Sequence, residues 1–123
     1  MHSMRVQEHE SGGVTILALD GALLLDEGEL VLRDSVDRLV AAGRPHIVLD
    51  LARVDRMDSA GIGMLVCKYL SALRKGGRLK LLHLRPRLLE MLTITRLAGV
   101  FEIFENEQDA IRSFGTAARP GAG

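Results

Sequence analysis

The chain has 123 residues, of which 47% are hydrophobic and 26% charged, and its 16 basic and 16 acidic side chains cancel to a net charge of zero. This length suits one domain, and the balanced charge gives no support to general binding of nucleic acid or of an anionic membrane surface. The single cysteine, Cys67, excludes an internal disulfide and fits a reducing compartment.

The sequence has no apolar stretch long enough to span a membrane and no apparent signal peptide. We therefore expect a cytoplasmic protein that does not insert into a membrane. A second methionine, Met4, suggests that residues 1–3 are a vector remnant. The predicted single domain covers residues 4–115, and the small, Pro/Gly-containing segment 116–123 is expected to be a flexible tail.

The N-terminal part predicts a β-hairpin. Arg5 to Glu10 is a weak strand candidate, Ser11-Gly12-Gly13 interrupts it, and Val14 to Leu19 is a stronger β-strand. The turn-forming pair Asp20-Gly21 is expected to end the hairpin, and an apolar link follows over residues 22–25.

Repeated strand and helix patterns follow the hairpin. Asp26 is expected to cap a helix that runs to about Ala42, because Gly43 and Pro45 stop it. The later elements are a strand from Ile47 to Leu51, a polar link over 52–57, a helix ending at Gly76-Gly77, a strand from Leu79 to Leu84, a helix from Pro86 closed by Gly99, a strand from Val100 to Phe104 and a helix starting at Asn106 or Glu107. This order predicts an α/β fold with a mixed, mostly parallel sheet of about five strands and about four helices.

The segment Asp58-Ser59-Ala60-Gly61-Ile62-Gly63 joins the strand Ile47 to Leu51, through the polar link, to the central helix. Asp58 or Ser59 is a natural N-cap, because a short side-chain oxygen accepts from N–H groups that the first helical turn leaves unpaired. Ser59 should stand at an open, positively polarised helix end. It is the functional candidate of the chain.

These residues also carry a resemblance to a known family. The strand Ile47-Val48-Leu49-Asp50-Leu51, the segment from Met57 to Gly63 and the pair Gly76-Gly77 resemble a STAS domain, and more narrowly a bacterial anti-sigma factor antagonist. The resemblance covers nearly the whole chain and includes Leu97-Ala98-Gly99-Val100-Phe101. It implies the STAS fold.

The resemblance implies a binding switch without enzymatic activity, cofactor or metal. Its members bind an anti-sigma factor that is also a serine kinase of the GHKL type, so that the sigma factor is released. The kinase phosphorylates the serine after the aspartate, here Ser59, and a phosphatase of the PP2C type removes the phosphate. The implied partner-binding residues are Asp58, Ser59, Ala60, Gly61, Ile62, Gly63, Met57, Leu24 and Asp26.

One segment departs from the family pattern. Members usually follow the glycine at Gly21 with a short motif that carries Asp or Asn, whereas here Ala22-Leu23-Leu24-Leu25 follows and the first acid is Asp26. Either Asp26 takes that role in a shifted loop, or the partner surface differs. Exposed leucines at this position could form an apolar contact patch.

Two other interpretations of the segment Asp58 to Gly63 stay open, and three others are disfavoured. Ser59 could be a plain N-cap, and the chain could be a STAS module of a lipid-transport complex or a stress-signalling scaffold without phosphate control. A hydrolase is disfavoured because Met57 stands where the G-x-S-x-G elbow needs glycine. A dinucleotide loop fails because Val66 replaces its third glycine, and the four histidines lack metal-ligand spacing.

Overall fold

A computed structural model describes residues 4–115 of the chain. The segments predicted as a vector remnant (1–3) and a flexible tail (116–123) lie outside the described residues. Within the described range the elements are β1 (Arg5–Ser11), β2 (Val14–Leu23), α1 (Glu29–Ala41), β3 (His46–Met57), α2 (Ser59–Arg74), β4 (Arg78–Leu82), α3 (Pro86–Ile94), β5 (Ile103–Phe104) and α4 (Glu107–Arg112). The predicted order of elements is confirmed.

The strands form one five-stranded sheet in the order β1-β2-β3-β4-β5. β1 and β2 are antiparallel, and the other three pairs are parallel. The predicted α/β class, the mixed and mostly parallel sheet and the opening hairpin are therefore confirmed. Because parallel neighbours are joined through right-handed helical crossovers, α1, α2 and α3 all pack on one face of the sheet.

The two faces of the sheet carry separate hydrophobic clusters. On the face covered by α1 to α3, Leu17, Leu49 and Leu81 pair side by side across the three central strands and are fully buried. On the other face, Val48 belongs to a smaller cluster that includes Ala110 of α4 and Phe114, which lies just after that helix. This alternation follows from the two-residue period of a strand, which points successive side chains to opposite faces.

The prediction that Asp20-Gly21 ends the hairpin strand is wrong. β2 continues to Leu23, because Asp20 pairs with Arg53 and Gly21 with Val54 of β3, with register irregularities on both sides of this point. Gly21 has a φ of 145°, and a Cβ added there would lie 3.1 Å from the Met4 backbone. This glycine therefore allows a close approach of two chain segments within the sheet.

The predicted polar link over residues 52–57 is also wrong, because these residues extend β3 to Met57. Val54 and Met57 are buried although the residues next to them in the sequence are charged, and both pair with residues of β2.

The prediction that Asp26 caps α1 is wrong as well. The helix begins at Glu29 with Gly28 as N-cap, and Asp26 has a φ of 59° in the turn before it.

Helix α3 ends at Ile94, earlier than the predicted stop at Gly99. Arg96 adopts a φ of 63°, and the Leu97 amide donates to the Leu92 carbonyl oxygen at 2.7 Å. This is the Schellman arrangement, which a glycine usually provides, and here an arginine adopts it. The final strand is also shorter than predicted and covers only Ile103–Phe104.

The remaining helix ends agree with the predictions. Pro86 is the first residue of α3, the Asn106 side chain caps α4, and the predicted stop Gly76-Gly77 lies just after α2, whose last residue is Arg74. Within residues 4–115 no helix is both long and apolar enough to cross a membrane.

Candidate functional site

The candidate site is built on the junction between β3 and α2. Asp58 is extended, with φ −112° and ψ −173°, and one of its carboxylate oxygens accepts from the Gly61 amide at 3.0 Å. This is N-cap geometry, in which the side chain satisfies a donor of the first helical turn. Of the two predicted cap candidates, Asp58 holds the role and Ser59 is the first helical residue.

The second carboxylate oxygen of Asp58 reaches a different part of the chain. It accepts from the Leu25 amide at 2.9 Å, in the loop between β2 and α1. The backbone amides of Leu25 and Gly61 lower the pKa of Asp58 from its ordinary 3.8, because hydrogen bonds to a carboxylate favour its charged form. Asp58 is therefore an ionised link between the loop and the helix.

Ser59 is exposed at the start of α2. Since Asp58 provides the cap, the Ser59 hydroxyl is not needed for that purpose. The polarised N-terminal end of a sixteen-residue helix stabilises negative charge placed there. A negative group added at Ser59 would therefore be stabilised by the helix end and repelled by the neighbouring ionised Asp58.

The neighbouring predicted residues differ in exposure and fall into three groups. Met57, Gly61 and Ile62 are buried, so they shape the junction from inside. Gly63 and Asp26 are exposed, and Ala60 and Leu24 are half-buried. The structure thus brings the predicted residues to one edge of the sheet, with only some of them facing solvent.

Gly61 has a packing role that the sequence alone did not indicate. A Cβ added there would lie 2.2 Å from the Leu23 carbonyl oxygen, far inside contact distance. The same carbonyl accepts from the Asp58 amide at 3.2 Å. The end of β2 therefore rests directly against the first turn of α2. In contrast, a Cβ at Gly63 would meet no atom within 4 Å.

The loop from Leu24 to Gly28 is closed by its own hydrogen bonds. The Leu24 amide donates to the Glu27 carbonyl at 2.7 Å, and the Glu27 amide donates back to the Leu24 carbonyl at 2.9 Å. Leu25 stands at the tip with 63% of its surface exposed. Of the three leucines predicted to form an apolar patch if exposed, Leu25 is exposed, Leu24 is half-buried and Leu23 is buried. Sequence reasoning did not foresee the hydrogen bond from the Leu25 amide to Asp58, since it depends on how far β2 extends.

A groove of about 450 Å³ lies along the C-terminal parts of β2 and β3 and reaches Glu27 of the loop. Both acidic and basic side chains line the groove, and the Arg53 guanidinium lies 4.0 Å from a carboxylate oxygen of Asp20. The basic side chains of the groove are Arg5, Arg53, Arg56 and Arg85. Among residues 4–115, no group of three or more His, Cys, Asp or Glu side chains is placed to hold a metal ion.

Comparison with known proteins gives a consistent result. The family model of the STAS domain matches residues 5–110. The chain is 26% identical over 109 residues to the anti-sigma F factor antagonist of Paenibacillus polymyxa, covering 89% of this chain and 93% of that protein. It is 30% identical over 82 residues to the anti-sigma-B factor antagonist of Bacillus subtilis, covering 67% of this chain and 74% of the relative.

Solved structures share the fold. The Bacillus cell fate determinant SpoIIAA in its phosphorylated form matches with a TM-score of 0.69 at 21% identity, over 89% of this chain and 98% of that one. The anti-sigma factor antagonist SpoIIAA in its unphosphorylated form matches with a TM-score of 0.66 at 19% identity, over 89% and 96%. At these identities the likeness concerns the fold alone.

Proposed function

The chain belongs to the STAS domain family, and on that basis we propose that it is a cytoplasmic anti-sigma factor antagonist, a binding protein and not an enzyme. Unmodified, it binds an anti-sigma factor serine kinase of the GHKL type and so releases a sigma factor. Phosphorylation of Ser59 by that kinase ends the binding, and a PP2C-type phosphatase restores it.

The observation that supports this proposal is that Asp58, and not Ser59, caps α2. Asp58 caps α2 with its own carboxylate, which leaves the exposed Ser59 hydroxyl available for transfer of a phosphate. If Ser59 were only a helix cap, its hydroxyl would occupy the position that the Asp58 carboxylate holds. The geometry therefore favours a phosphoacceptor over the plain N-cap.

A phosphate at Ser59 acts mainly on the partner. It adds roughly −1.5 to −2 charges and three acceptor oxygens at a helix end that tolerates them. The fold need not change, and SpoIIAA is known with this fold in both its phosphorylated and unphosphorylated forms. A partner packed against Ser59 would have to bury the new charge beside the ionised Asp58. A loss of ~3 kcal/mol of binding free energy weakens a complex more than a hundredfold.

The direct test is phosphate transfer. The chain is incubated with ATP and, one at a time, with the anti-sigma factor serine kinases of its host, and its intact mass is measured. We expect a single phosphate with one kinase, absent from Ser59→Ala and retained by Ser11→Ala, whose exposed serine lies in the hairpin. Phosphate that persists in Ser59→Ala, or no phosphate with any kinase, would contradict the proposal.

A second candidate is a STAS module of another assembly, a lipid-transport complex or a stress-signalling scaffold, without phosphate control. The exposed Leu25 favours it, because leucines stand where the family usually carries Asp or Asn. In that case no kinase modifies Ser59, and a partner binds Ser59→Ala and Ser59→Asp equally well.

A further inference from the structure

The turn at Leu25 is held in one conformation by contacts on both sides. Leu24 and Glu27 exchange two backbone hydrogen bonds, and the Asp26 amide donates to a carboxylate oxygen of Glu29 at 3.2 Å. Asp26 adopts a φ of 59°, a conformation that side-chain-bearing residues seldom take. A backbone fixed in this way presents the Leu25 side chain in a defined direction.

Asp58 ties this turn to the site. Its two carboxylate oxygens accept from the Leu25 amide at 2.9 Å and from the Gly61 amide at 3.0 Å. The Asp58 amide in turn donates to the Leu23 carbonyl oxygen. Leu25 is consequently fixed relative to the residue that immediately precedes Ser59.

Further exposed apolar side chains lie in the first turn of α1, which follows the Leu25 turn in the chain. α1 and α2 both begin at this edge, since they follow the parallel strands β2 and β3, and Asp37 of α1 pairs with Lys68 of α2 at 2.6 Å. The first turn of α1 exposes 44% of Leu30 and 36% of Val31. The stretch 59–67 of α2 contains no charged side chain. The first turn of α1 therefore adds exposed apolar surface a few residues from Leu25 in the chain, and the start of α2 carries no charge that would oppose an apolar contact.

A single exposed leucine is ordinary on a protein surface. Leu25 differs because its backbone is immobilised and because it adjoins a site of proposed binding. A backbone that is already held in one conformation loses little further freedom when a partner covers its side chain, so more of the gain from burial appears as affinity. A few residues that fill well-packed pockets carry most of the binding free energy of an interface.

We propose that Leu25 is a specificity-determining contact residue that inserts into an apolar recess of the kinase, and that Asp58 is the positioning residue that holds it there. This inference rests on the proposed function, whose partner it describes more closely. The interface then has two parts. Ser59 controls whether the complex forms, and Leu25 contributes affinity and the choice of partner whether or not Ser59 can be phosphorylated.

The test measures the dissociation constant between the kinase that modifies Ser59 and the unphosphorylated chain. We expect Leu25→Ala to weaken binding about tenfold or more, and Leu25→Met to restore most of the affinity. Leu73→Ala is the matched control, because that leucine is 39% exposed near the far end of α2. It should bind like the wild type, and thermal midpoints of all three variants should stay close to that of the wild type.

Asp58→Asn tests the positioning role separately. The asparagine oxygen can still accept from Gly61 and cap the helix, but its NH₂ group cannot accept from the Leu25 amide. We expect the Leu25 amide to exchange its hydrogen faster and the affinity to fall toward that of Leu25→Ala. If the Leu25 amide hydrogen exchanges at the same rate in Asp58→Asn as in the wild type, Asp58 does not hold the turn.

The outcomes for Leu25 and for the proposed function are distinguishable. If the wild type binds a kinase and Ser59→Asp does not, but Leu25→Ala binds like the wild type, the inference about Leu25 is wrong and the proposed function stands. If no kinase binds the wild type, both are wrong.

Discussion

The carboxylate of Asp58 bridges two elements, with one oxygen 2.9 Å from the Leu25 amide nitrogen and the other 3.0 Å from the Gly61 amide nitrogen. One side chain therefore caps α2 and fixes the loop that precedes α1. Because Ser59 directly follows Asp58, any group added to the Ser59 hydroxyl lies next to this bridge. The proposed phosphorylation site and the loop are thus parts of one surface.

We predict that substitutions at Ser59 separate the two states of the switch. Ser59→Asp should mimic the phosphate and raise the dissociation constant of the complex with the kinase about a hundredfold or more. Ser59→Ala should bind the kinase constitutively, because it cannot be phosphorylated. Calorimetric titration with the kinase measures both. Equal affinities of the two variants would contradict control by charge at this position.

We predict opposite effects of alanine at the two glycines of α2. Gly61→Ala should lower the free energy of unfolding by about 2 kcal/mol or more, because its methyl group would overlap the Leu23 carbonyl oxygen, 2.2 Å away. Gly63→Ala should raise it by about 0.5 to 1 kcal/mol, since the added methyl meets no atom within 4 Å and alanine favours a helix. Urea denaturation of both variants is the measurement, and a loss of stability in Gly63→Ala would contradict the packing described.

Thr15 offers a stability test away from the site. Its side chain is fully buried, and its hydroxyl oxygen has no hydrogen-bond partner among the described residues. Thr15→Val removes this unpaired group at nearly constant shape and should raise the free energy of unfolding by about 1 to 2 kcal/mol. Thr93→Val is the control, because that exposed hydroxyl donates to the Leu89 carbonyl at 2.8 Å. It should not stabilise the protein.

Stability should fall in mild acid because of His46. Burial first, and then the charges of Arg78 and Lys80, lower its pKa below the usual 6.5, while the unfolded chain retains that value. The unfolded state therefore binds more protons once the pH drops below 6.5, and it is favoured progressively down to the lowered folded value. Denaturation midpoints measured from about pH 8 to about pH 5 should decline less in His46→Gln than in the wild type.

Asp58 should affect the free energy of unfolding at a lower pH than His46 does. Its pKa in the folded chain lies below 3.8, so its stabilising contribution is complete above that pH and is lost as the pH falls through the lowered value. Asp58→Ala should be less stable than the wild type at neutral pH, and the difference should shrink in strong acid. A difference that does not depend on pH would show that the carboxylate charge is unimportant.

Much of the fold follows from local patterns in the sequence. The first helical residue Pro86 and the stop at Gly76-Gly77 depend on neighbouring residues only, and both are found as predicted. The cap of α2 is Asp58, one of the two residues expected, and α4 begins at Glu107 after the Asn106 cap, within the expected pair. Such signals act within one or two helical turns, where side-chain oxygens and backbone conformation decide the outcome.

The features that the sequence did not reveal depend on partners distant in the chain. β2 and β3 extend beyond their apolar runs because each provides the other's hydrogen bonds, which overrides the turn propensity of Asp20-Gly21. The hydrogen bond from Leu25 to Asp58 spans 33 residues and exists only because β2 reaches Leu23. Neither feature has a local signature.

The length of β2 also separates the two ends of the molecule. Its first residue, Val14, adjoins the hairpin turn at Gly12-Gly13, and its last residue, Leu23, rests on the start of α2. Ten residues of strand span roughly 33 Å. A fluorophore or affinity tag inserted at Gly12-Gly13 would therefore sit at the opposite pole from Ser59, so that partner exchange could be followed on the intact chain without obstructing it.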